Sequence, residues 1–242
     1  MAQGFLTGKG AIVTGGTRGI GRAIARALAM EGCGVAICGR DGNSAQTAVN
    51  ELITETGSHI TGLGADVRDR EAVAKLFSTA SGAFGGIDIV VNNAGIGVFA
   101  PVADLRAEDW NRVIETNLTG VFHCCQEALA CFKKRGGGYL IQIGSLAGKN
   151  PFAGGAVYNA SKFALNGFSE ALMLDHRHDN VRVSTILPGS VDTDFTPRTG
   201  NTKSEWKIAP EDIADIVIGL LRMPARTMIS HVEVRPSRPQ KR

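Results

Sequence analysis

The 242-residue sequence has little of what marks membrane-spanning, nucleic-acid-binding or disordered proteins. Its longest apolar runs, at residues 87–91 and 213–221, are short or interrupted by charge, well below the ~20 residues that a membrane span requires. The formal net charge of +3 is too small to indicate a nucleic-acid-binding surface. With 43% hydrophobic and 20% charged residues, the chain also lies outside the composition of disordered proteins.

Cysteine is scarce as well, at five residues, and these show no CxxC pair and no metal-ligand spacing with histidine. We therefore predict no metal site. An odd number of cysteines within apolar stretches indicates buried thiols in a reducing compartment. The opening residues, MAQGFLTGKG, lack the apolar core of a signal peptide, so we expect a cytoplasmic location.

Glycine, in contrast, is abundant at 31 residues and clusters at the ends of apolar runs, which indicates tight turns beside a sheet. Apolar, β-branched runs alternate with amphipathic ones, and this order predicts a parallel sheet covered by helices on both faces. We expect strands at residues 10–14, 34–38, 59–64, 87–92, 139–143, 182–187 and 228–234. Helices are expected at 19–30, 44–56, 70–84, 108–134, 156–176 and 210–222. The predicted fold is a doubly wound α/β (Rossmann) seven-stranded sheet in one domain, residues 1–242.

A glycine-rich turn follows the first predicted strand, with the sequence TGGTRGIG at residues 14–21. A strand, a glycine turn and a helix start form a dinucleotide site, because the backbone comes close to the pyrophosphate and helix N–H groups face it. The spacing is G-x-x-x-G-x-G rather than the usual G-x-G-x-x-G. A turn that serves only helix–strand packing is the alternative interpretation.

Charge at the end of the second predicted strand indicates which dinucleotide binds. NAD sites place an acidic residue there to hold the ribose 2′-hydroxyl. Here Arg40 comes first and Asp41 follows it, and Arg40 with Arg18 could hold a 2′-phosphate through charge-assisted hydrogen bonds. We therefore predict NADP(H), with a plain polar turn as the alternative.

Tyr158 and Lys162 lie four residues apart, on one face of a predicted helix. Neither is an acid–base catalyst at neutral pH by itself, but a nearby ammonium is expected to lower the pKa of the phenol. A half-buried tyrosine with a surface lysine is the alternative. Ser145 follows a strand at the sheet edge, where its hydroxyl could bind a substrate carbonyl, and Asn117 lies within the long predicted helix.

Taken together, these segments resemble the short-chain dehydrogenase/reductase family, in its single-domain branch of about 250 residues. The markers occur in family order over nearly the whole chain: Thr14 to Gly21, Asp66-Val67, Asn92-Asn93-Ala94-Gly95, Asn117, Ser145, Tyr158-x-x-x-Lys162, and Pro188-Gly189 with Thr193. The resemblance implies hydride transfer between NADP(H) and a carbonyl or secondary alcohol, and a homotetramer or homodimer.

The resemblance also implies roles for individual residues. Tyr158 would exchange the proton, Lys162 would hold the nicotinamide ribose, Ser145 would orient the substrate oxygen, and Asn117 would hold a water that links Lys162 to solvent. Asn92 would tie adjacent strands together. The implied cofactor contacts are Gly15, Thr17, Arg18, Gly19, Ile20, Gly21, Arg40, Asp66, Val67, Asn93, Ala94, Gly95, Tyr158, Lys162, Pro188, Gly189, Val191 and Thr193.

Two departures from the family pattern leave the substrate open. The segment from Ile229 is more similar to sepiapterin reductases and 3-hydroxy acid dehydrogenases than to 3-oxoacyl-carrier-protein reductases, yet the latter activity and a non-enzymatic NADP(H)-binding regulator stay as alternatives. The basic run at residues 133–135 could dock an acidic carrier protein, but at a helix end it is typical of dipole compensation. The polar stretch 193–207 predicts a mobile lid.

Overall fold

The computed structural model describes residues 4–195 and 205–239, in which seven parallel strands form one sheet. The strand order is β3-β2-β1-β4-β5-β6-β7, and every neighbouring pair is parallel. The strands are β1 (Gly10–Thr14), β2 (Gly34–Gly39), β3 (Ile60–Gly64), β4 (Ile89–Asn92), β5 (Gly138–Ile143), β6 (Val181–Pro188) and β7 (His231–Val234). The predicted doubly wound Rossmann sheet is confirmed.

Helices cover both faces of the sheet. They are α1 (Gly19–Met30), α2 (Gly42–Thr56), α3 (Arg70–Phe84), α4 (Ala107–Ile114), α5 (Gly120–Arg135), α6 (Ala156–His176) and α7 (Pro210–Leu221), with a π-helical turn at Glu115–Thr119. Side chains of α1, α2 and α7 form one apolar layer, and those of α3, α5 and α6 form the other. Within the described residues, no helix is long and apolar enough to cross a membrane.

Each strand supplies both layers, because successive side chains point to opposite faces. In β1, Ala11 and Val13 pack in the first layer and Ile12 packs in the second, and all three are fully buried. This explains why the strands are apolar throughout rather than alternating. The cysteines, all free, follow the same pattern: four are buried, and Cys131 is half-buried.

The single long helix predicted at residues 108–134 is wrong in one respect. The chain is helical across this range, but it is divided into α4 and α5 by the π-helical turn Glu115–Thr119. A π turn holds an extra residue and re-aims the side chains within it. The side chain of Asn117 in this turn binds the backbone of Ile96 rather than facing solvent.

Asp88 joins the amino ends of two neighbouring strands and lies at the edge of the sheet opposite the strands' carboxyl ends. Its carboxylate accepts hydrogen bonds from the Gly10 amide at 3.0 Å, from Lys9 at 3.0 Å and from both Nε and Nη2 of Arg135. Burial by itself would raise the pKa of this carboxyl, but these hydrogen bonds together lower it below the usual value.

The Asp88→Asn substitution is expected to lower the free energy of unfolding at pH 7 by about 2 kcal/mol, because two cations lose their buried partner. The melting temperature would then fall by roughly 4–8 °C. Since folding lowers the pKa of Asp88, its contribution is complete above the ordinary carboxyl pKa and is lost as the pH falls below it. Thermal melts from pH 7 to pH 3 measure this, with exposed Asp104→Asn as the control. Equal melting temperatures for the wild type and Asp88→Asn at pH 7 would contradict it.

Candidate functional site

A cleft of about 1200 Å³ opens at the carboxyl ends of the strands. In an open parallel sheet, ligands bind at this edge, where the strand order reverses, here between β1 and β4. The residues expected from the sequence that line it are Gly15, Thr17, Arg18, Gly19, Ile20, Arg40, Asp66, Val67, Asn93, Ala94, Gly95, Ser145, Tyr158, Lys162, Pro188, Gly189, Val191 and Thr193. Gly21 and Asn117 are not among its lining residues.

The glycine turn needs glycine for conformation and for space. Gly15 and Gly19 have φ of 63° and 55°, in the left-handed region that glycine favours. A Cβ on Gly21 would lie 2.3 Å from the Gly15 carbonyl oxygen, so Gly21 lets α1 pack tightly against the turn instead of facing the cleft. The structure thus gives Gly21 a packing role, and its expected contact with a cofactor stays a prediction.

Thr14 and Asn93 hold this turn against the end of β4. The Thr14 hydroxyl accepts hydrogen bonds from the amides of Asn93 and Ala94, both at 3.0 Å. The Asn93 side chain donates to the carbonyl oxygens of Thr14, at 2.9 Å, and Gly15, at 3.0 Å. Asn93 thus borders the cleft with its amide already engaged, a supporting contact that the sequence reasoning did not identify.

Asn92, expected to tie neighbouring strands together, points into the layer under α5. Its amide donates to the sulfur of Cys125 at 3.5 Å, and the amide of Gln142, its register partner on β5, donates to the same sulfur at 3.4 Å. The two strands are therefore linked through a thiol rather than directly. Burial raises the pKa of Cys125 to about 12, so this thiol stays protonated at neutral pH.

The first turn of α1 faces the cleft without a side-chain cap. Its N-cap residue, Arg18, makes no capping hydrogen bond within the described part of the chain. Helix N–H groups without a side-chain capping partner are suited to bind an anion such as a pyrophosphate. Together with the glycine turn and the volume of the cleft, this arrangement fits a dinucleotide.

At the end of β2, the acidic residue is engaged in hydrogen bonds, whereas the basic residue has no ion-pair partner among the described residues. The Asp41 carboxylate accepts hydrogen bonds from the amide of Ser44 at 2.8 Å and from its hydroxyl at 2.5 Å, capping α2. Arg40 is exposed, lines the cleft and makes no ion pair within 4 Å to any described residue. The position that holds an acidic residue in NAD sites is therefore cationic here.

Asp66, after β3, is held by its neighbour. Arg68 donates to both of its carboxylate oxygens, at 2.7 to 3.1 Å, and these hydrogen bonds lower the pKa of Asp66 although burial acts in the opposite direction. The next residue, Val67, is buried against Gly120 at the start of α5. The two side chains form the far wall of the cleft, beyond the glycine turn.

Tyr158 and Ser145 meet where β5 ends and α6 begins. Ser145 accepts a hydrogen bond from the amide of Ala147 at 3.1 Å, which leaves its own hydrogen to donate to the Tyr158 hydroxyl. Burial raises the pKa of Tyr158, and the hydrogen bond from Ser145 acts in the opposite direction. The sequence reasoning expected the ammonium of Lys162 to lower this pKa. In the structure, burial outweighs the opposing effect on this pKa, which comes from the hydrogen bond of Ser145 rather than from Lys162.

Lys162 lies behind the tyrosine, fully enclosed. Its Nζ is 5.8 Å from the centre of the Tyr158 ring and donates to the carbonyl oxygen of Ile143 at 2.9 Å. Burial lowers the pKa of Lys162 to about 8. The ammonium form therefore predominates at neutral pH and is lost just above it.

Asn117 lies in the wall behind the cleft and is buried. Its side-chain oxygen accepts from the Ile96 amide at 2.8 Å, and its amide donates to the Ile96 carbonyl at 2.9 Å and to the Ser161 hydroxyl at 3.0 Å. Ser161 in turn donates to the backbone carbonyl of Tyr158 at 2.8 Å. Both amide hydrogens are thus used, so the water that Asn117 is expected to hold would have to donate to an oxygen of Asn117. Its contacts make it a positioning residue.

Sequence reasoning missed the aromatic wall of the cleft. Phe99 and Phe195 pack against Tyr158, and Phe152 packs against Phe99, each from a different loop. Each is an isolated phenylalanine without periodic context, and the only sequence signal is a glycine two or three residues away in two cases, at Gly97 and Gly155.

Two further expectations concern the surroundings of the cleft. Of the predicted lid, residues 196–204 lie outside the described residues, while Thr193 and Phe195 line the cleft. The basic run at residues 133–135 ends α5 at the opposite edge of the sheet, where Arg135 pairs with Asp88 at 3.0 Å. A carrier docked on this run would face away from Tyr158.

This chain is similar to known short chain dehydrogenases over most of its length. The family model for short chain dehydrogenases matches residues 9–204. An uncharacterized oxidoreductase of Staphylococcus aureus (strain N315) is 33% identical over 231 residues, which are 96% of this chain and 98% of the relative.

Solved structures are also similar to this chain over nearly its whole length. An alcohol dehydrogenase from the archaeon Thermococcus sibiricus, complexed with 5-hydroxy-NADP, has a TM-score of 0.88 at 31% identity, covering 96% of this chain and 99% of that one. A short chain dehydrogenase from Burkholderia cenocepacia J2315 in complex with NADP has a TM-score of 0.85 at 32% identity, covering 95% and 97%.

Proposed function

The chain belongs to the short-chain dehydrogenase family, and from this premise we propose that it is an oxidoreductase that interconverts a carbonyl compound and its alcohol with NADP(H). One observation carries the proposal. The hydroxyls of Tyr158 and Ser145 and the buried ammonium of Lys162 border the same cleft as the glycine turn at the start of α1.

The cofactor site is proposed from the shape and charge of the cleft. The uncapped start of α1 and the Gly15 turn would bind the pyrophosphate, and Arg40 with Arg18 would bind the 2′-phosphate. Asp66 and Val67 would lie beside the adenine. Asn93, Ala94 and Gly95 would border the adenosine ribose side, and Pro188, Gly189, Val191 and Thr193 would border the nicotinamide end. The structures similar to this one that were solved with NADP support this assignment.

When bound, NADPH supplies the hydride that adds to the carbonyl carbon. The Tyr158 hydroxyl donates its proton to the carbonyl oxygen, so the ketone becomes an alcohol and the phenolate regains a proton from solvent. Ser145 would turn its hydrogen from the Tyr158 hydroxyl to the same oxygen and so orient the substrate. The ammonium of Lys162 stabilises the phenolate that remains and would also bind the nicotinamide ribose. Asn117, through Ser161, holds the backbone of Tyr158 in place.

The Arg40→Ala substitution is expected to lower kcat/KM with NADPH about 10–100-fold, because a charge-assisted hydrogen bond to the 2′-phosphate is lost. With NADH the loss should be less than about twofold, since that cofactor has a hydroxyl there. Steady-state kinetics with both cofactors measure the ratio, and Arg106→Ala, an exposed arginine of a surface ion pair, is the control. A wild-type preference for NADH would refute the assignment.

The remaining proposals concern the whole molecule. We propose that residues 1–242 form one NADP(H)-binding domain in the cytoplasm and that copies associate as a homodimer or homotetramer. Exposed apolar residues on neighbouring helices support association: Phe122 on α5, and Phe163 and Leu174 on α6. Light scattering on the purified protein tests this, and a monomer at micromolar concentration would refute it.

A direct test of the proposed function is the loss of NADPH absorbance when purified protein meets a panel of diketones, quinones, oxoacyl thioesters and pterins. Consumption with at least one carbonyl class is expected. A protein that binds NADPH tightly but oxidises none of it with any carbonyl would be a regulator rather than an enzyme.

A further inference from the structure

Three phenylalanines, two of them in contact with the proposed proton donor, form an aromatic box in the cleft. The ring centre of Tyr158 lies 5.6 Å from that of Phe99 and 5.7 Å from that of Phe195, and Phe152 extends the box at 5.8 Å from Phe99. The Phe99 and Tyr158 rings meet edge to face, at 74°. These distances are those of attractive aromatic pairs.

The rings of this aromatic box rest on glycine backbone. A Cβ on Gly97 would lie 2.7 Å from Phe99 Cζ and 2.9 Å from Phe195 Cε1, so both rings pack directly over this glycine in the positions that the structure shows. A Cβ on Gly155 would lie 2.5 Å from Phe152 Cε2, and the Asn159 amide donates to the Phe152 carbonyl at 3.0 Å. The box is therefore built into the backbone around it.

The aromatic box keeps apolar surface open to the cleft. The three phenylalanines are 42–44% exposed and all line it. Buried phenylalanine is the rule in a core, and a cluster of partly exposed rings inside a cleft marks a ligand-binding surface. The hydroxyls of Tyr158 and Ser145, which are suited to bind a carbonyl oxygen, line the same cleft as these rings.

Charge argues against an acidic substrate at this end of the cleft. Arg235, which lines the cleft, donates to the Glu233 carboxylate at 3.1 Å, and Lys149 pairs with the same carboxylate. Lys162 lies behind the Tyr158 ring, where it donates to the carbonyl of Ile143. Lys207 also lines the cleft, beside Trp206, but within the described residues no cation lies over the ring of Phe99, Phe152 or Phe195. A substrate carboxylate placed on these rings would therefore lose its hydration there.

Resting on the reductase function proposed above, we propose that the substrate is an uncharged ketone or aldehyde with an aromatic ring beside the carbonyl, and that Phe99, Phe152 and Phe195 bind this ring. The carbonyl carbon accepts a hydride from NADPH and the oxygen accepts the proton of Tyr158. An aryl carbinol and NADP⁺ are released, and one proton is taken from solvent.

Two matched comparisons on the wild type test this inference. Acetophenone is expected to exceed 2-butanone in kcat/KM by at least about 30-fold, because the aromatic box contributes binding only to the ring. Methyl benzoylformate is expected to exceed benzoylformate, its free acid, by at least about tenfold. Equal or higher kcat/KM for 2-butanone or for the free acid overturns the aryl assignment while leaving the reductase intact. No NADPH oxidation with any carbonyl overturns the reductase itself, and this inference with it.

Two variants test whether the aromatic box causes the preference for acetophenone over 2-butanone. Phe99→Ala and Phe152→Ala are each expected to lower the acetophenone to 2-butanone ratio of kcat/KM by about 5–10-fold. Phe5→Ala is the matched control, since Phe5 is 44% exposed like Phe99 and Phe152 but does not line the cleft, and it should leave the ratio unchanged. An unchanged ratio in both box variants would overturn the inference. As a measurement independent of turnover, saturation transfer by NMR to the ring protons of 1-phenylethanol should weaken in Phe99→Ala.

Discussion

The Tyr158→Phe variant is expected to reduce carbonyl turnover, kcat, about 10³-fold, while the dissociation constant for NADPH changes less than about twofold. The substitution removes one hydroxyl and keeps the ring, so the packing against Phe99 and Phe195 is retained. What is lost is the proton that the carbonyl oxygen must receive in the transition state. Without it, an alkoxide would form beside Ser145 with only one hydrogen-bond donor.

The chain provides a matched control, because it has only one other tyrosine. Tyr139 is buried in β5, does not line the cleft, and its hydroxyl bonds to that of Ser184 at 2.8 Å. Tyr139→Phe should cost about 1 kcal/mol of stability and leave kcat unchanged. Steady-state kinetics and NADPH fluorescence titration measure both variants. Turnover of Tyr158→Phe within tenfold of the wild type would contradict the role given to this residue.

The second large effect concerns Lys162 and is a dependence on pH. Burial lowers the pKa of Lys162 to about 8, whereas burial raises that of Tyr158. Below pH 8 the lysine is an ammonium and stabilises the phenolate. Above pH 8 it is a neutral amine, and the phenolate loses that support. We therefore expect kcat/KM for reduction to fall by up to tenfold per pH unit above pH 8, although the proton donor itself is still protonated there.

Two variants separate charge from structure at this position. Lys162→Met should lower kcat/KM about 10²–10³-fold at pH 7, since it removes a buried charge next to the reacting atoms. Lys162→Arg keeps a charge across the whole range because arginine does not titrate below pH 12. The profile of kcat/KM against pH for Lys162→Arg should lack the fall near pH 8, even where its absolute values are lower than those of the wild type. If that fall persists in Lys162→Arg, another group is responsible for it.

Most of the fold could be predicted because local signals and burial agree. The bounds of α1, α3 and α6 follow directly from apolar periodicity and from glycine at the turns. The start of α2 differs, at Gly42 rather than residue 44, because Asp41 rather than a later residue caps the helix. The π turn at Glu115–Thr119 could not be predicted, since it depends on the contact between Asn117 and Ile96, which are distant in sequence.

The candidate site was predicted less completely than the fold. Residues that follow strands could be placed at one edge, which is why Ser145, Asp66 and Pro188 were expected at the cleft. What a side chain binds could not be predicted. The engagement of Asn117 by Ile96 and the dominance of burial in the pKa of Tyr158 both depend on packing between distant segments. The aromatic box was missed for the same reason.

The central claim is that this cleft transfers a hydride from NADPH to a carbonyl with Tyr158 as the proton donor. The most direct measurement follows deuterium from each of the two C4-deuterated forms of NADPH into the product alcohol by mass spectrometry. We expect one deuterium on the carbinol carbon from one of the two forms, in equal amount to the NADPH consumed, and almost none with Tyr158→Phe. Tight NADPH binding with no deuterium in any product would contradict it.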